Sequence, residues 1–306
     1  YVLKRFNAHT PQLLKSVKQK VEDLDYDQVT LFSKELTLRT AWSLMCQTNL
    51  KSAPVLDDHS HLLGLLSSTN IIEGYMEDWD KDILKNAHTP IENVVDTLDA
   101  KIVYLNPELR TIKGSLHITG MNSQEVIDHV NEHDVIITGG DRTEGIREML
   151  KKKVDLIILT NSLHLEESVL EECKNAGVSV VTTAFTTFKT SQQIIQAVPV
   201  EYVMQKGDLT CFSTDDTVDY LKEVMSETRY HSYPVIDLND QVVGTISRFQ
   251  VITGDHKKMI LVDHNERGQA VEGIEEAEIL EVVDHHRVAD FQTVGPLQFR
   301  AEPLGC

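Results

Sequence analysis

Long apolar runs, positive charge and paired cysteines are all scarce in this sequence of 306 residues. No uninterrupted apolar run reaches the ~18 residues that a transmembrane helix needs, and the first residues lack a signal-peptide pattern, so we expect a cytoplasmic protein. The 29 basic residues against 48 acidic ones give a net charge of −19, which disfavours nucleic acid and anionic membranes as partners. The four cysteines are widely spaced and form no CxxC pair, which predicts reduced thiols.

The remaining composition is that of a globular protein, with 41% hydrophobic and 25% charged residues. Its length suits about two domains of roughly 150 residues each. Because the chain is so acidic, an anionic small ligand needs a metal ion, or a few well-placed cations and backbone N–H groups, in order to bind. A candidate site for such a ligand must supply that local positive charge.

An internal repeat organises the chain. Residues 29–72 align without a gap to residues 209–252, at a constant offset of 180 residues, and thirteen of the 44 aligned positions are identical. In each copy a short strand leads to a threonine that can cap a helix, Thr37 or Thr217, and apolar residues then follow at helical spacing. A polar turn between two apolar stretches predicts a hairpin, and a second helix follows it. The pattern therefore predicts a βαββα unit for each copy.

This repeat resembles the CBS (cystathionine-β-synthase) module, through the pattern apolar-Pro-Val-apolar-Asp followed by Gly-x-apolar-Ser. Such modules pair into a Bateman unit that binds adenine nucleotides in clefts between the two copies. A hydroxyl and backbone N–H groups at a helix start receive phosphate, and the side chain three residues later holds ribose hydroxyls. In this sequence those positions are Ser67 with Asn70, and Ser247 with Gln250. The modules usually carry Asp where Asn70 and Gln250 stand.

The stretch between helix and hairpin differs between the copies. The second copy has "TRYHSYP", which supplies a phosphate partner, an aromatic ring and a titratable donor, whereas the first has one cation there. The nucleotide-binding residues that we predict are Lys51, Ser67, Asn70, Thr210, Arg229, Tyr230, His231, Ser247 and Gln250. An alternative for Tyr230 and Tyr233 is packing in a dimer contact. For the repeated Thr, Pro and Gly positions, turn geometry alone is a sufficient explanation.

Between the copies, strands alternate with helices from about residue 109 to 200, which predicts an inserted α/β domain. Its "ITGGDRTEGIREML" resembles the loop that gives the DRTGG-type domain its name, with Glu144 where the first glycine of that name would stand. Glycines at such a place can cradle a phosphate, but a tight strand-to-helix turn is the simpler explanation of Gly139 and Gly140. We expect this domain to contribute structure and dimer contact, not catalysis.

Two apolar stretches near the end of the sequence finish in aspartate and histidine. "MILVDH" ends in Asp263 and His264, and "AEILEVVDHH" ends in Asp284, His285 and His286, with a helix-like acidic link between the two. If both are parallel strands, these side chains meet at one edge of a sheet. Carboxylate and imidazole donors suit Mn, Co, Fe or Zn, so the pattern predicts a metal site.

These clusters resemble the DHH phosphoesterase superfamily and, within it, the family II inorganic pyrophosphatases, through "LVDHNE", "ILEVVDHHR" and "FRAEPLGC". The opening "YVLKRFNAHTPQLLKSV" is similar to the stretch before "LVDHNE" in pyrophosphatases that carry no insert. The resemblance therefore implies two pieces of one catalytic domain, interrupted by a CBS–DRTGG–CBS insert.

The resemblance also implies a role for each residue of the clusters. Asp263 is expected to be a metal ligand, His285 a ligand at the other metal, and His286 a donor to the substrate phosphate. Asp284 would bridge or orient within the site, and His264 would support it from outside or lie on the surface. Paired metals, Mn²⁺ or Co²⁺ with Mg²⁺, would activate water for in-line attack on phosphorus.

The family also carries a His-x-x-x-Asp-x-Asp motif, a further aspartate ligand and a C-terminal domain, which this sequence does not contain. We therefore expect an internal segment of a longer enzyme. Taken alone, it should bind nucleotides and hydrolyse nothing.

The predicted fold class is α/β: an α+β CBS pair and an α/β DRTGG-like domain, flanked by pieces of a parallel-sheet DHH domain. The predicted boundaries are 1–28 and 256–306 for the DHH pieces, 29–75 and 201–255 for the CBS motifs, 76–108 for a connector and 109–200 for the DRTGG-like domain.

The predicted function is that of the regulatory region and part of the catalytic domain of a metal-dependent inorganic pyrophosphatase. The intact enzyme would convert diphosphate and water into two phosphates, with inhibition by AMP or ADP and activation by ATP or a diadenosine polyphosphate. Its expected partners are these nucleotides, pyrophosphate and a second copy in a homodimer. One alternative is a free-standing nucleotide sensor in which the Asp and His residues at the strand ends have lost their catalytic role. A second is a DHH-type phosphodiesterase. The acidic charge and the long match around "ILEVVDHHR" argue against the second alternative.

Overall fold

The computed structural model describes residues 2–5, 9–10, 12–28, 30, 32–76, 80–119, 128–139, 143–254, 256–288 and 296–301. Within these ranges the chain forms two compact units, one of residues 29–209 and one of residues 1–28 with 210–306. None of the helices in the described ranges has both the length and the apolar character needed to span a bilayer.

The helices of the described residues are α1 Val2–Arg5, α2 Leu38–Thr48, α3 Ser68–Met76, α4 Ile83–Asn86, α5 Ile91–Thr97, α6 Thr143–Lys151, α7 Glu167–Ala176, α8 Thr187–Gln193, α9 Val200–Val203, α10 Val218–Glu227 and α11 Arg248–Thr253. The strands are β1 Phe32–Ser33, β2 Ser52–Leu56, β3 Leu62–Ser67, β4 Lys101–Tyr104, β5 Leu116–Ile118, β6 Val135–Thr138, β7 Leu156–Leu159, β8 Ser179–Thr182, β9 Phe212–Ser213, β10 Tyr233–Ile236, β11 Val242–Ile246, β12 Lys258–Val262, β13 Glu278–Asp284 and β14 Gln298–Ala301.

The first repeat copy folds as the sequence predicts. β1 pairs in parallel with β2, and β2 pairs antiparallel with β3 as a hairpin. Thr37 caps α2, because its side-chain oxygen accepts the Thr40 N–H at 3.0 Å. α2 then turns Ala41 and Met45 onto a core that also holds Phe32.

The second copy repeats this arrangement in the other unit. β9, β10 and β11 form a three-stranded sheet of the same topology, and Thr217 caps α10 by accepting the Tyr220 N–H at 3.4 Å. Val218, Leu221 and Met225 face its core. The apolar periodicity of the two copies therefore predicted both helices correctly.

The α/β insert is a five-stranded sheet in the order β4-β8-β7-β6-β5. β5 to β8 run parallel, and β4 joins the edge antiparallel. β6, β7 and β8 are buried along their whole length, as expected for parallel strands covered on both faces. Residues 76–108, which the sequence suggested to be a connector, contribute α4, α5 and the edge strand β4.

The last sheet consists of β12, β13 and β14, all parallel and in that order. The link between β12 and β13 contains two short 3-10 turns, Arg267–Gln269 and Ile274–Glu276, where the sequence suggested a helix-like segment. Val17, Leu261, Ile274 and Val282 form the core of this sheet. An early segment of the chain thus packs on the final strands, within one unit.

In each unit, the segment that precedes one repeat copy in the chain packs on the other copy. Gln205, just before the second copy, exchanges backbone hydrogen bonds of 3.0 and 2.9 Å with Leu65 of β3. Asp27, just before the first copy, does the same with Thr245 of β11, at 3.0 and 2.9 Å.

This exchange explains the glycine that the two copies share, and it corrects the interpretation from turn geometry. Gly64 and Gly244 lie within strands, not turns. A Cβ on Gly64 would lie 2.8 Å from the Gln205 carbonyl oxygen, and a Cβ on Gly244 would lie 2.3 Å from Cδ2 of Tyr26. Glycine is therefore needed at both positions because another segment approaches the strand closely.

Candidate metal and nucleotide sites

The candidate metal site lies where two neighbouring strands end. β12 and β13 are parallel, so the residues that follow them meet at one edge of the sheet, as the sequence predicts. One potential ligand atom from each of Asp263, Asp284, His285 and His286 lies within 4.8 Å of all the others. We call these four residues the Asp/His cluster.

The exposed half of the cluster pairs Asp263 with His285. Nδ1 of His285 lies 3.2 Å from Oδ1 of Asp263, and both side chains reach solvent. Asp263 adopts a left-handed backbone conformation with φ of 61°, which aspartate tolerates better than most residues. Its N–H still donates to the Val283 carbonyl at 2.9 Å, so the turn begins directly at the end of the strand pairing.

The buried half of the cluster is Asp284, which is 1% exposed. Oδ1 of Asp284 accepts the backbone N–H of His286 at 3.0 Å and lies 2.7 Å from Nδ1 of the same residue. Burial alone would raise the pKa of the Asp284 carboxyl, but hydrogen bonds from His286, Asn265 and the His285 backbone outweigh it and lower the pKa to about 2. The carboxylate is therefore ionised and orients the His286 ring with Nε2 left for a ligand.

Asn265 is a site residue that the sequence interpretation did not single out. It is 2% exposed, and its Nδ2 donates to Oδ2 of Asp284 and, at 3.1 Å, to the Arg287 carbonyl. Both oxygens of Asp284 thus have protein donors, which suits an orienting role better than a bridging one. The available signal was its position in "LVDHNE", directly after the Asp-His pair.

His264 stands apart from the cluster. Its Nδ1 lies 3.1 Å from the Val262 carbonyl, which it can reach as a donor. This contact fixes the ring beside the turn at Asp263 without placing a nitrogen among the cluster's ligand atoms.

In the first repeat copy, the candidate nucleotide residues surround the start of α3. Oδ1 of Asn70 accepts the Ser67 N–H at 2.9 Å and the Ser67 hydroxyl at 2.7 Å, and Ser67 Oγ accepts the Asn70 N–H at 3.1 Å. This reciprocal arrangement is a capping box. Lys51 is exposed, and its carbonyl accepts the Ser68 N–H at 3.0 Å. The predicted residues of this copy therefore do lie together.

The second copy has the same box with one added contact. Oε1 of Gln250 accepts the Ser247 N–H at 3.0 Å and also the Ser247 hydroxyl. Nε2 of Gln250 donates to Oδ2 of Asp27 at 2.9 Å. Asp27 comes from the segment before the first copy, so no local sequence pattern pointed to it.

The loop before β10 is held to this helix start by Arg248. The Arg248 guanidinium donates to the carbonyls of Met225, Thr228 and Tyr230, the last at 3.2 Å. Arg229 and His231 are exposed on this loop, while Tyr230 is half-buried, with its ring 5.7 Å from that of Tyr233 in an edge-to-face contact.

The nine predicted nucleotide residues are divided between the two units. Lys51, Ser67 and Asn70 belong to residues 29–209, and the other six, including the half-buried Thr210, belong to the second unit. In the DRTGG-like loop, Gly139 and Glu144 are described, whereas residues 140–142 lie outside the described residues. So do residues 302–306 of "FRAEPLGC".

Family models match the two regions whose folds are described above. The DRTGG domain model matches residues 93–197, and the CBS domain model matches residues 200–256. The class of protein is thus one that carries a CBS domain and a DRTGG domain, the latter lying between the two repeat copies.

Similar proteins and a similar solved structure indicate the family within this class. The chain is 45% identical over its whole length to a cobalt-dependent inorganic pyrophosphatase of Clostridium perfringens, and 30% identical to a probable manganese-dependent inorganic pyrophosphatase of Thermotoga maritima, in each case covering 55% of the relative. A crystal structure of the CBS and DRTGG domains of the regulatory region of Clostridium perfringens pyrophosphatase, complexed with the activator diadenosine tetraphosphate, is 41% identical. It covers 76% of this chain and all of its own, with a TM-score of 0.72.

The chain belongs to the family of inorganic pyrophosphatases whose regulatory region is built from CBS and DRTGG domains. It spans about half the length of the curated relatives it matches.

Proposed function

We propose that this chain is the adenine-nucleotide-sensing region, together with part of the catalytic domain, of a metal-dependent inorganic pyrophosphatase. The observation that carries the proposal is the Asp263–His285 pair at the ends of two parallel strands, next to Asp284 and His286. The 45% identity to a cobalt-dependent pyrophosphatase over the whole chain supports it. The whole protein would hydrolyse diphosphate to two phosphates.

Asp263 and His285 are the residues that would hold metal, because one carboxylate oxygen and one imidazole nitrogen already face each other and reach solvent. This donor set suits Mn²⁺ or Co²⁺, with Mg²⁺ as a further ion. When bound, such ions supply an activated water and neutralise phosphate charge. His286, oriented by Asp284 through Nδ1, would donate from Nε2 to a substrate phosphate when both ring nitrogens carry a proton, and His264 would hold the turn that positions Asp263.

The chain alone should not catalyse hydrolysis. The Asp/His cluster offers four ligand groups. A site with two metals would also use the His-x-x-x-Asp-x-Asp motif and the further aspartate of the family, which this sequence does not contain. Metal-dependent release of phosphate from pyrophosphate by this chain would contradict the assignment.

For nucleotides, we propose that the helix starts at Ser67 and Ser247 receive phosphate and that Asn70 and Gln250 bind ribose. The other proposed contacts are Lys51, Thr210, Arg229, Tyr230 and His231. AMP and ADP would inhibit the whole protein, and ATP or a diadenosine polyphosphate would activate it, the latter in line with the ligand of the Clostridium structure. The domain boundaries given above, a homodimer and a cytoplasmic location are part of this proposal.

Isothermal titration calorimetry with AMP, ADP, ATP and diadenosine tetraphosphate tests the sensing function. Saturable heat with at least one nucleotide is expected, and Tyr230→Ala and Arg229→Ala should each weaken it. Lys222→Ala is the matched control, because Lys222 is an exposed cation on α10 of the same copy that pairs only with Asp219 in the described structure. No heat with folded protein would defeat the proposal, and unchanged affinity in the first two variants would remove those residues from the site.

A further inference from the structure

Residues 16–27, which we call the strap, begin in the core of the metal-bearing sheet. The Val17 N–H donates to the Glu272 carbonyl at 2.8 Å. The Val17 side chain is 2% exposed and packs with Leu261 of β12 and Val282 of β13. The start of the strap therefore packs against residues that lie two positions before Asp263 and Asp284 in the sequence.

The strap ends in the second CBS copy. Val21 is fully buried in the core of that copy, and the Tyr26 ring lies against Gly244. Asp27 pairs with Thr245 through the two backbone hydrogen bonds given above. One short segment thus joins the two cores of this unit.

The strap is also fastened to the connection that runs from α11 into β12. Nζ of Lys257, the residue before β12, lies 2.7 Å from the Asp23 carboxylate and donates to the Lys18 carbonyl at 3.3 Å. The strap therefore contacts β12 through the Val17 core, and the residue before β12 through Lys257.

Gln250 is the point where the proposed nucleotide site touches the strap. Its side-chain oxygen Oε1 closes the capping box with Ser247, and its side-chain nitrogen Nε2 donates to the Asp27 carboxylate at 2.9 Å. In the first copy the equivalent Asn70 closes the same box, but its amide nitrogen has no hydrogen-bond partner among the described residues. The link to the strap is therefore specific to the second copy.

We propose that the Gln250–Asp27 hydrogen bond is the contact through which a nucleotide in the second CBS copy controls the Asp/His cluster. The inference rests on the proposed nucleotide binding. A ribose hydroxyl that engages the Gln250 amide competes with Asp27, and the strap then adopts a second arrangement at Val17 and Lys257. A ligand shifts such an equilibrium only by the difference in its affinity for the two arrangements, so the free energy held in this bond sets the coupling.

Hydrogen–deuterium exchange of the peptides that cover 259–264 and 281–286, with and without AMP, tests the coupling, with calorimetry in parallel. In the wild type, AMP should change their exchange by about fivefold or more. Asp27→Ala should bind AMP at least as tightly, because the competing bond is gone, and should show no AMP response. Asp27→Asn keeps an acceptor oxygen and should respond as the wild type does.

Asp25→Ala is the matched control: it removes the same charge from an exposed strap residue that has no ion pair or side-chain hydrogen bond in the described structure. An AMP response in Asp27→Ala as large as in the wild type would overturn the inference. If the wild type gives no heat with any nucleotide, the proposed function fails, and the link between the strap and the Asp/His cluster is then tested by hydrogen–deuterium exchange without ligand. In that case the peptide 259–264 must exchange its amide hydrogens faster in ligand-free Asp27→Ala than in ligand-free Asp25→Ala. Equal rates would overturn the inference that the strap acts on the Asp/His cluster.

Discussion

Nδ1 of His285 lies 3.2 Å from Oδ1 of Asp263, although the two residues follow different strands with a link of two 3-10 turns between them. The parallel pairing of β12 with β13 creates this proximity, since it brings both carboxyl ends to one edge. Two side chains that can each give a metal one ligand atom are thus placed together by the backbone and not by local sequence.

This pair predicts the metal affinity of variants. His285→Ala and Asp263→Ala should each weaken Co²⁺ binding to the chain by about tenfold or more. Loss of a residue that only hydrogen-bonds to a metal ligand typically changes the affinity by that factor, so loss of a ligand should change it at least as much. Titration followed by the visible absorption of Co²⁺ measures it. His133→Ala is the control and should stay close to wild type, because it removes the histidine of another His–Asp pair, 3.0 Å from Asp155, that lies in the other unit. Equal weakening by all three substitutions would contradict the ligand assignment.

Asn265 should stabilise the folded state through its hydrogen bond to the buried Asp284 carboxylate. Asn265→Ala leaves Oδ2 of the buried Asp284 carboxylate without its donor, so the free energy of unfolding should fall by about 1–3 kcal/mol. Asn265→Asp should cost more, because two carboxylates would then face each other. Urea unfolding followed by circular dichroism measures both. Gln269→Ala, which removes an exposed amide bonded to Glu266, should leave the midpoint unchanged.

The repeat glycines give a test of the segment exchange. Gly244→Ala should lower the free energy of unfolding by about 1–3 kcal/mol, because the added methyl group meets the Tyr26 ring and the Asp27 carbonyl oxygen. Gly64→Ala should also be destabilising, since its new Cβ would lie 2.8 Å from the Gln205 carbonyl oxygen as well as 2.6 Å from the Met204 Sδ. Gly268→Ala is the control, with no atom within 4 Å of the new Cβ. A Gly244→Ala protein as stable as Gly268→Ala would mean that the strap does not cover β11.

The sequence predicted those features that depend on local pattern or on order along the chain. The apolar spacing after Thr37 and Thr217 marked α2 and α10, and polar turns marked both hairpins. Two apolar stretches ending in aspartate and histidine predicted that the Asp/His cluster would gather, because parallel strands align their ends.

The features that the sequence did not reveal depend on contacts between distant segments. Asp27 and Gln250 are separated by most of the chain, and nothing near either residue indicates their hydrogen bond. Gly64 and Gly244 were visible as a repeated glycine, but their reason is a neighbouring segment. Asn265 was visible in its motif, but only its burial against Asp284 distinguishes it from a surface amide.

Burial orders the cysteines by reactivity. Burial, with the Glu172 carboxylate nearby, raises the pKa of the Cys173 thiol to about 11, and burial also raises the pKa of Cys211, whereas Cys46 is exposed. Because the thiolate is the nucleophile, iodoacetamide at pH 8 should modify Cys46 first and Cys173 last in a Cys306→Ser background, as peptide mass spectrometry can follow. Urea should abolish the difference. Modification of native Cys173 at the rate of Cys46 would show that the face of α7 that packs on the sheet opens readily.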